Sequence, residues 1–378
     1  MEDCGYRCVP CNHVQMSAIK RYYRPELDAL RFFAFLCVFL DHQPIMTAWI
    51  QPFLIAGAFG MCMFFMLSAY LIVSILMRER ANTGTVNLRS FAIRRILRIW
   101  PLYFLVLFGG FALGRVWEPS FIRAKAVLAF SFLLGNVWIL RHGWMGALNP
   151  LWSLSVEEQF YLVVPALARW SASRVMAAVC VSTILLSYVV LLRLGHTGTD
   201  AGLVWANSFV QFQFFAAGGL MAMWRYGRVW RIATGTRMVL VFVGVCLWLG
   251  AGSEFSLHSD LHTTSSSLVR DFSLMMSGTV CLFLSALDTE KKIPGVITYL
   301  GKISYGLYLF HDFYISFVAQ VLSQTFTARP MLSLRMDLLA APVAMGMTIL
   351  TAAISYRFFE APILRYKERF ETVLTRGV

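Results

Sequence analysis

Residues 27–47 read LDALRFFAFLCVFLDHQPIMT, an apolar run of membrane-spanning length that carries Asp28, Arg31, Asp41 and His42. Arg31 and His42 are eleven positions apart. At about 100° per residue this is about three turns plus 20°, so on a helix both side chains share one face, roughly 16 Å apart along the axis. A guanidinium and an imidazole inside a spanning helix are costly and usually face a protein-lined site. The plainer reading is an interfacial histidine and an Arg31–Asp28 pair at i, i+3 that anchors the helix. Helical geometry alone does not choose between them.

The run is one of many. Of 378 residues, 58% are hydrophobic and 14% charged, against about 25% charged in a typical soluble domain. Further apolar stretches fall near 53–77, 99–114, 151–168, 175–194, 206–224, 236–252, 267–287, 300–323 and 334–358. The expected fold is all-α, a polytopic membrane bundle of about ten transmembrane helices. The expected organisation is an N-terminal cytoplasmic extension at 1–24, a membrane domain at 25–370 and a cytoplasmic tail at 371–378, with Met16 an alternative start.

The net charge of +13 could suit nucleic acid, but the basic residues fall in short loops between apolar runs. That is the positive-inside pattern, so the expected environment is a bilayer, with no nucleic-acid partner. One side receives Arg78, Arg80, Arg89, Arg94, Arg95 and Arg98, then Arg169, Arg174, Arg225, Arg228, Arg231, Arg237, Lys291 and Lys292. The C-terminal Arg365, Lys367 and Arg369 join them. An eleventh span at 121–140 would move the later groups across, so that segment is expected to be re-entrant or interfacial, with both termini cytoplasmic.

Five of the eight cysteines lie in expected spans as small apolar fillers. Cys4, Cys8 and Cys11 with His13 have ligand-like spacing, but no compact domain surrounds them, and a terminal extension is the favoured reading. No metal is expected.

Four further strings carry polar chemistry. RRILRIWP at 94–101 places Arg94, Arg95 and Arg98 at the cytoplasmic mouth, where guanidinium forks suit phosphates, although ordinary topology retention explains them too. LWSLSVEEQFY at 151–161 puts Ser153, Glu157 and Tyr161 on one face, beside Trp152. Near the outer surface these would hydrogen-bond a hydroxylated acceptor; a helix start enriched in acids is the alternative. SYGLYLFHD at 304–312 aligns Ser304, Tyr308 and His311, read as a structural polar network. Ser68, in FFMLSAYL at 64–71, lacks a nucleophile elbow and is read as packing between helices, with Asp28 in a similar supporting role. Imidazole titrates near neutral pH, which suits His42 to general-base work.

Taken in order, these strings resemble the acyltransferase 3 family of integral membrane O-acyltransferases. The likeness rests on RPELDALR at 24–31, the Arg31-x10-His42 spacing, Arg95-x-x-Arg98 with Pro101, the 151–161 string, Ser304-Tyr305-Gly306, and YRFFEAP at 356–362. The resemblance implies acyl transfer, commonly of acetyl, from cytoplasmic acyl-CoA to a hydroxyl of a carbohydrate, envelope glycan or macrolide-type metabolite. Acyl-CoA would be a cosubstrate, with no permanently bound cofactor. It implies His42 as the catalytic histidine, Arg31 as the basic partner of that motif, Arg95 and Arg98 in donor handling and Glu157 as the acidic position of the 151–161 string; the expected mechanism uses His42 as base, with Glu157 catalytic and Arg31, Arg94, Arg95 and Arg98 on the acyl-CoA. Trp152, Ser153 and Tyr161 would contact the acceptor. Cys62 and Ala69 depart from the family pattern, where aspartate and glycine are usual, so the acceptor pocket should be divergent. A transporter without transfer chemistry is the rival reading, weakened by the lack of evident internal repeats.

Overall fold

The structure, a computed structural model, describes residues 22–43, 51–117, 124–144, 146–228, 231–254, 263–289, 291–326 and 333–373. The cluster of Cys4, Cys8 and Cys11 lies outside them. All regular structure among the described residues is helical, the arrangement that satisfies every backbone group where lipid offers no partner. The helices are α1 (Pro25–Asp41), α2 (Gln51–Gly57), α3 (Gly60–Thr83), α4 (Leu88–Trp117), α5 (Ala124–Ser131), α6 (Gly135–His142), α7 (Leu151–Trp170), α8 (Ser173–His196), α9 (Ala201–Ala206), α10 (Ser208–Arg225), α11 (Thr234–Glu254), α12 (Ser265–Ala286), α13 (Gly295–Lys302), α14 (Ser304–Phe326), α15 (Ser333–Ser355) and α16 (Ala361–Lys367). A π turn, Tyr356–Glu360, joins the last two.

By length and apolarity, six described segments can cross a membrane: Ile55–Thr83, Leu88–Leu113, Ser173–His196, Thr234–Ser253, Ser265–Ala286 and Leu339–Phe370. The fold class is as expected, whereas the count of about ten spans is not reached on these criteria. The long helices that fall short carry the polar residues: α1 with Asp28, Arg31 and Asp41, α7 with Glu157, Glu158 and Gln159, α10 with Gln211 and Gln213, and α14 with His311 and Asp312. Of these polar residues, Asp28, Arg31 and Glu157 line the interior described below.

The central helix is α3. Its spanning window is 78% buried, against 17% for that of α8. The outer helices turn apolar faces outward, with Val181, Leu185 and Val189 of α8 and Met238, Val239 and Phe242 of α11 exposed. Lipid tails do not drive helices together, so close approach relies on small residues. A Cβ added to Gly218 of α10 would strike the Met66 carbonyl on α3, and one added to Gly301 of α13 would strike the Asp28 carbonyl on α1.

Segment 121–140 is not one continuous span. Residues 121–123 lie outside the description, and the rest forms α5 and α6, eight residues each. Each helix is about 12 Å long, too short to cross a bilayer. Leu133 between them takes φ 58, and the Phe130 ring packs where Gly135 has no side chain.

Several of the basic residues between spans tie helix ends together. Arg80 donates to the carbonyls of Ala168 (3.0 Å) and Ser171 (2.5 Å), and Arg169 donates to that of Val86 (3.1 Å). Arg237 holds the carbonyls of Ser285, Leu287 and Asp288, while Arg24 and Arg225 both pair with the Asp288 carboxylate. Cations closing helix C-termini in this way complement the exposed carbonyls. These basic residues are therefore clasps between helices.

Arg94 belongs to this set. It is buried, with Nη2 3.1 Å from Glu79 Oε2 and Nη1 donating to the Phe370 carbonyl at 2.6 Å. Removing one member of a buried pair strands the other charge, at a cost of about 3–5 kcal/mol. Arg94→Ala is expected to lower the thermal midpoint of the purified protein markedly. Arg95→Ala, whose side chain forms no ion pair with a carboxylate among the described residues, is expected to leave the midpoint nearly unchanged. Scanning fluorimetry on both variants checks the contrast.

Candidate active site

One cavity of about 270 Å³ runs between α1, α3, α4, α7 and α14. Its wall is basic where Arg24, Arg31, Arg95, Arg98, Lys302 and Lys367 line it. Ser68, Ser153, Glu157, Tyr161, Ser304 and Tyr308 line its interior. Residues from five separate strings of the sequence are thus brought onto one surface.

The N-terminal part of α1 aims Arg31 at this cavity, held 3.0 Å from Asp28 Oδ1. On α4, Arg95 and Arg98 are three positions apart and both face inward, while Arg94 turns away to Glu79. Arg94 is therefore not a cavity residue, because one helix turn cannot direct three near-consecutive side chains to the same side. The Arg95 guanidinium lies over the rings of Phe91 (5.7 Å) and Tyr161 (5.6 Å).

On α7, Ser153, Glu157 and Tyr161 share the cavity face as their spacing predicts. Tyr161 donates to Glu157 Oε1 at 2.5 Å and lies 2.6 Å from the Ser68 hydroxyl. Ser68 therefore joins a Ser–Tyr–Glu chain between α3 and α7. The string does not form a pocket apart from the basic residues. Ten residues of helix cover about 15 Å, so α7 carries Tyr161 down from its start at Leu151 to the level of Arg95. The far end of α7, at Ala168, reaches Arg80 among the helix-end clasps. Glu157 and Tyr161 consequently adjoin the basic patch and are not a separate pocket.

Trp152 faces away from the cavity, edge-on to Phe65 (6.2 Å) and Trp144 (6.1 Å). Gln159 is structural: it accepts from Ser208 (2.7 Å) and donates to Asn136 (3.1 Å), which donates to Ser208 (2.7 Å), closing a ring between α6, α7 and α10.

On α7 the cavity lining begins at Ser153, and on α14 it stops at Tyr308. The Tyr308 hydroxyl is 2.9 Å from both the Pro150 carbonyl and Ser153 Oγ, and Ser153 donates to the same carbonyl at 3.0 Å. Behind Tyr308 lies His311, ring to ring at 5.5 Å, and behind that His42, edge-on at 4.9 Å. His42 is thus separated from the cavity by two side chains, and the shared face with Arg31 does not place both in one chamber. The reason is local. Helix α1 stops at Asp41, with Pro44 shortly beyond, and His42 is its C-cap residue with φ −82 and ψ 0.

His42 Nδ1 lies 2.8 Å from the Val38 carbonyl and 3.7 Å from Asp41 Oδ2. A carbonyl can only accept, so Nδ1 carries a proton, and in the neutral ring Nε2 is the free acceptor. His311 is arranged alike: Nδ1 lies 2.6 Å from the Tyr308 carbonyl, and the buried Nε2 has no hydrogen-bond partner among the described residues. The pairing of these rings was not evident in the sequence, where they stand 269 positions apart. Lys302 and Tyr356 were also missed; the Lys302 amine sits 4.9 Å from the Tyr356 ring at the basic end. Their only signal is adjacency to the Ser304 and Tyr356 strings. A π turn directs Tyr356 inward, a device frequent at functional sites.

A family model described as an acyltransferase domain matches residues 24–357. The chain belongs to that family. The matched region holds every cavity residue named above except Lys367. This acyltransferase 3 chain is 26% identical to a peptidoglycan O-acetyltransferase of Listeria monocytogenes over 91% of its length, covering 56% of that protein. It is 25% identical to an O-acetyltransferase of Staphylococcus aureus strain NCTC 8325, over 90% of its length and 57% of the relative. A putative O-acetyltransferase of S. aureus strain MSSA476 is 26% identical, with 91% and 58% covered. The chain therefore spans a little over half the length of these relatives. No solved structure matches it.

Proposed function

We propose that the chain transfers an acyl group, acetyl in the first instance, from acyl-CoA to a hydroxyl of a cell-envelope glycan. It would do so within about ten membrane spans, with both termini and the basic bundle end cytoplasmic. The observation that carries this is a cavity with a cationic mouth at one end and, past its blind end, a pair of histidines. The relatives' names support a glycan acceptor and an acetyl group.

The cavity is small for a whole cosubstrate, since pockets for drug-sized ligands run to about 300–1,000 Å³. A slender pantetheine arm enters it while the phosphates stay at Arg31, Arg95, Arg98, Lys302 and Lys367, where guanidinium forks bind bidentately. Glu157 acts through Tyr161, which supports the Arg95 guanidinium. The acceptor arrives from the opposite side, at His42. Once the Tyr308 and His311 side chains, which separate the cavity from His42, shift to bring the thioester within reach, the hydroxyl proton passes to His42 Nε2 as the oxygen attacks the thioester carbon. The carbon–sulfur bond then breaks and the thiolate takes up a proton. Asp41, 3.7 Å from His42 Nδ1, stabilises the imidazolium formed on the way.

The test uses the purified chain in lipid nanodiscs with acetyl-CoA and soluble peptidoglycan fragments. Free thiol should appear only when acceptor is present, and mass spectrometry should show the fragment heavier by one acetyl. Arg95→Ala and Arg98→Ala should each raise the KM for acetyl-CoA about tenfold, the size of one lost charged hydrogen bond. Thiol release that ignores the acceptor, or arginine variants with unchanged KM, would remove this reading.

A further inference from the structure

We propose that Tyr308, backed by Phe64, is the residue that limits the length of the acyl group, restricting the enzyme to short chains. This rests on the reading that the cavity holds acyl-CoA. In that cosubstrate the acyl group and the phosphates are at opposite ends. With the phosphates at Arg31, Arg95 and Arg98, the acyl group is the part that lies farthest from them, and Ser153 and Tyr308 are the lining residues of α7 and α14 farthest along those helices from Arg95 and Arg98.

The end wall is built to stay in place. Tyr308 is nearly fully buried, and its hydroxyl is tied to the Pro150 carbonyl and to Ser153, at 2.9 Å each. One side of its ring meets Phe64, with centroids 5.9 Å apart, and Phe64 itself lines the cavity. Its other neighbour is His311, at 5.5 Å. A ring anchored at its tip and flanked by two others cannot rotate away without breaking hydrogen bonds. An acetyl methyl can rest against it. Each added methylene must displace the wall or pull the thioester back from the side where His42 lies. A single misfitting methylene in an apolar pocket changes selectivity by about 10–200-fold.

The other end of the lining is charged, with Arg24, Arg31, Arg95, Arg98, Lys302 and Lys367, and suits phosphates, so length discrimination falls on the acyl end. The wall also stands between the cavity and the histidine pair. Shortening it would therefore lengthen the chamber towards His311 and leave the phosphate end untouched.

The experiment measures kcat/KM for acetyl-, propionyl- and butyryl-CoA in nanodiscs. The wild type should prefer acetyl over butyryl by at least about 100-fold. Tyr308→Ala should narrow that ratio at least tenfold, and Phe64→Ala should narrow it less. Tyr308→Phe, which keeps the ring and loses the hydroxyl, should hold the ratio within about threefold. A Tyr308→Ala ratio equal to that of the wild type overturns the proposal, as does a wild type that prefers butyryl. If Tyr308→Ala does not turn over, dissociation constants for the inert thioethers S-ethyl-CoA and S-butyl-CoA give the same ratio, judged in the same way. A wild type that binds neither thioether overturns the donor reading and the wall with it. Tight wild-type binding with an unchanged variant ratio overturns the wall alone.

Discussion

Replacing His42 by alanine is expected to lower kcat for acetyl transfer by about 10²–10⁴-fold, the usual worth of a positioned general base. The affinity for acetyl-CoA should stay within about twofold of the wild type, because His42 lies behind Tyr308 and His311 and lines no part of the cavity. This split distinguishes a base on the acceptor side from a residue that holds the donor. Arg98→Ala should show the opposite pattern, a weakened donor with a smaller effect at saturation. Single-turnover rates and binding isotherms on nanodisc-embedded protein supply both numbers. Transfer that survives in His42→Ala would move the base elsewhere, and His311, with its unpartnered buried Nε2, would be the first residue to test.

The second large effect is expected at Gly301. Its missing side chain lets α13 meet α1 at Asp28, where an added Cβ would strike the Asp28 carbonyl oxygen. The obstacle is backbone, so it cannot be relieved by a rotamer change. Overpacking usually costs about 1–3 kcal/mol, and a clash with a helix backbone belongs at the upper end of that range. Asp28 also holds Arg31 at 3.0 Å, so pushing α1 aside disturbs the donor mouth as well. Gly301→Ala should lose several degrees in thermal midpoint and weaken acetyl-CoA binding. Gly295→Ala, at the start of the same helix with open space around the added carbon, should do neither. Equal midpoints for the two variants, read by scanning fluorimetry, would contradict this account of the packing.

Much of the site was legible from spacing. Ser153, Glu157 and Tyr161 share a face because i, i+4, i+8 must do so on any helix, and Arg95 and Arg98 point together for the same reason. Arg31–Asp28 pairs as its i, i+3 spacing suggests. Where spacing failed, tertiary geometry or a helix end intervened. Arg31 and His42 satisfy the angular rule, yet α1 ends one residue before His42, and the imidazole caps the helix instead of following its face. Arg94 looks like its neighbours in the sequence, and only the position of Glu79, on the preceding helix, separates its role from theirs. Segment 121–140 is apolar enough to cross, but the positive φ at Leu133 divides it into two short helices.

The sequence by itself determined the helical class, the membrane setting, the clustering of basic loops and the motif order that marks the family. These depend on local period and on composition, which a chain carries without folding. The tertiary structure decided which motifs meet. It placed Glu157 and Tyr161 beside Arg95, closed the cavity with Tyr308, and set His42 behind it against His311. These contacts join residues from tens to hundreds of positions apart, and depth in a bundle depends on how each helix is set against its neighbours. Periodicity specifies the face a residue occupies, whereas only packing specifies its height and what stands in front of it.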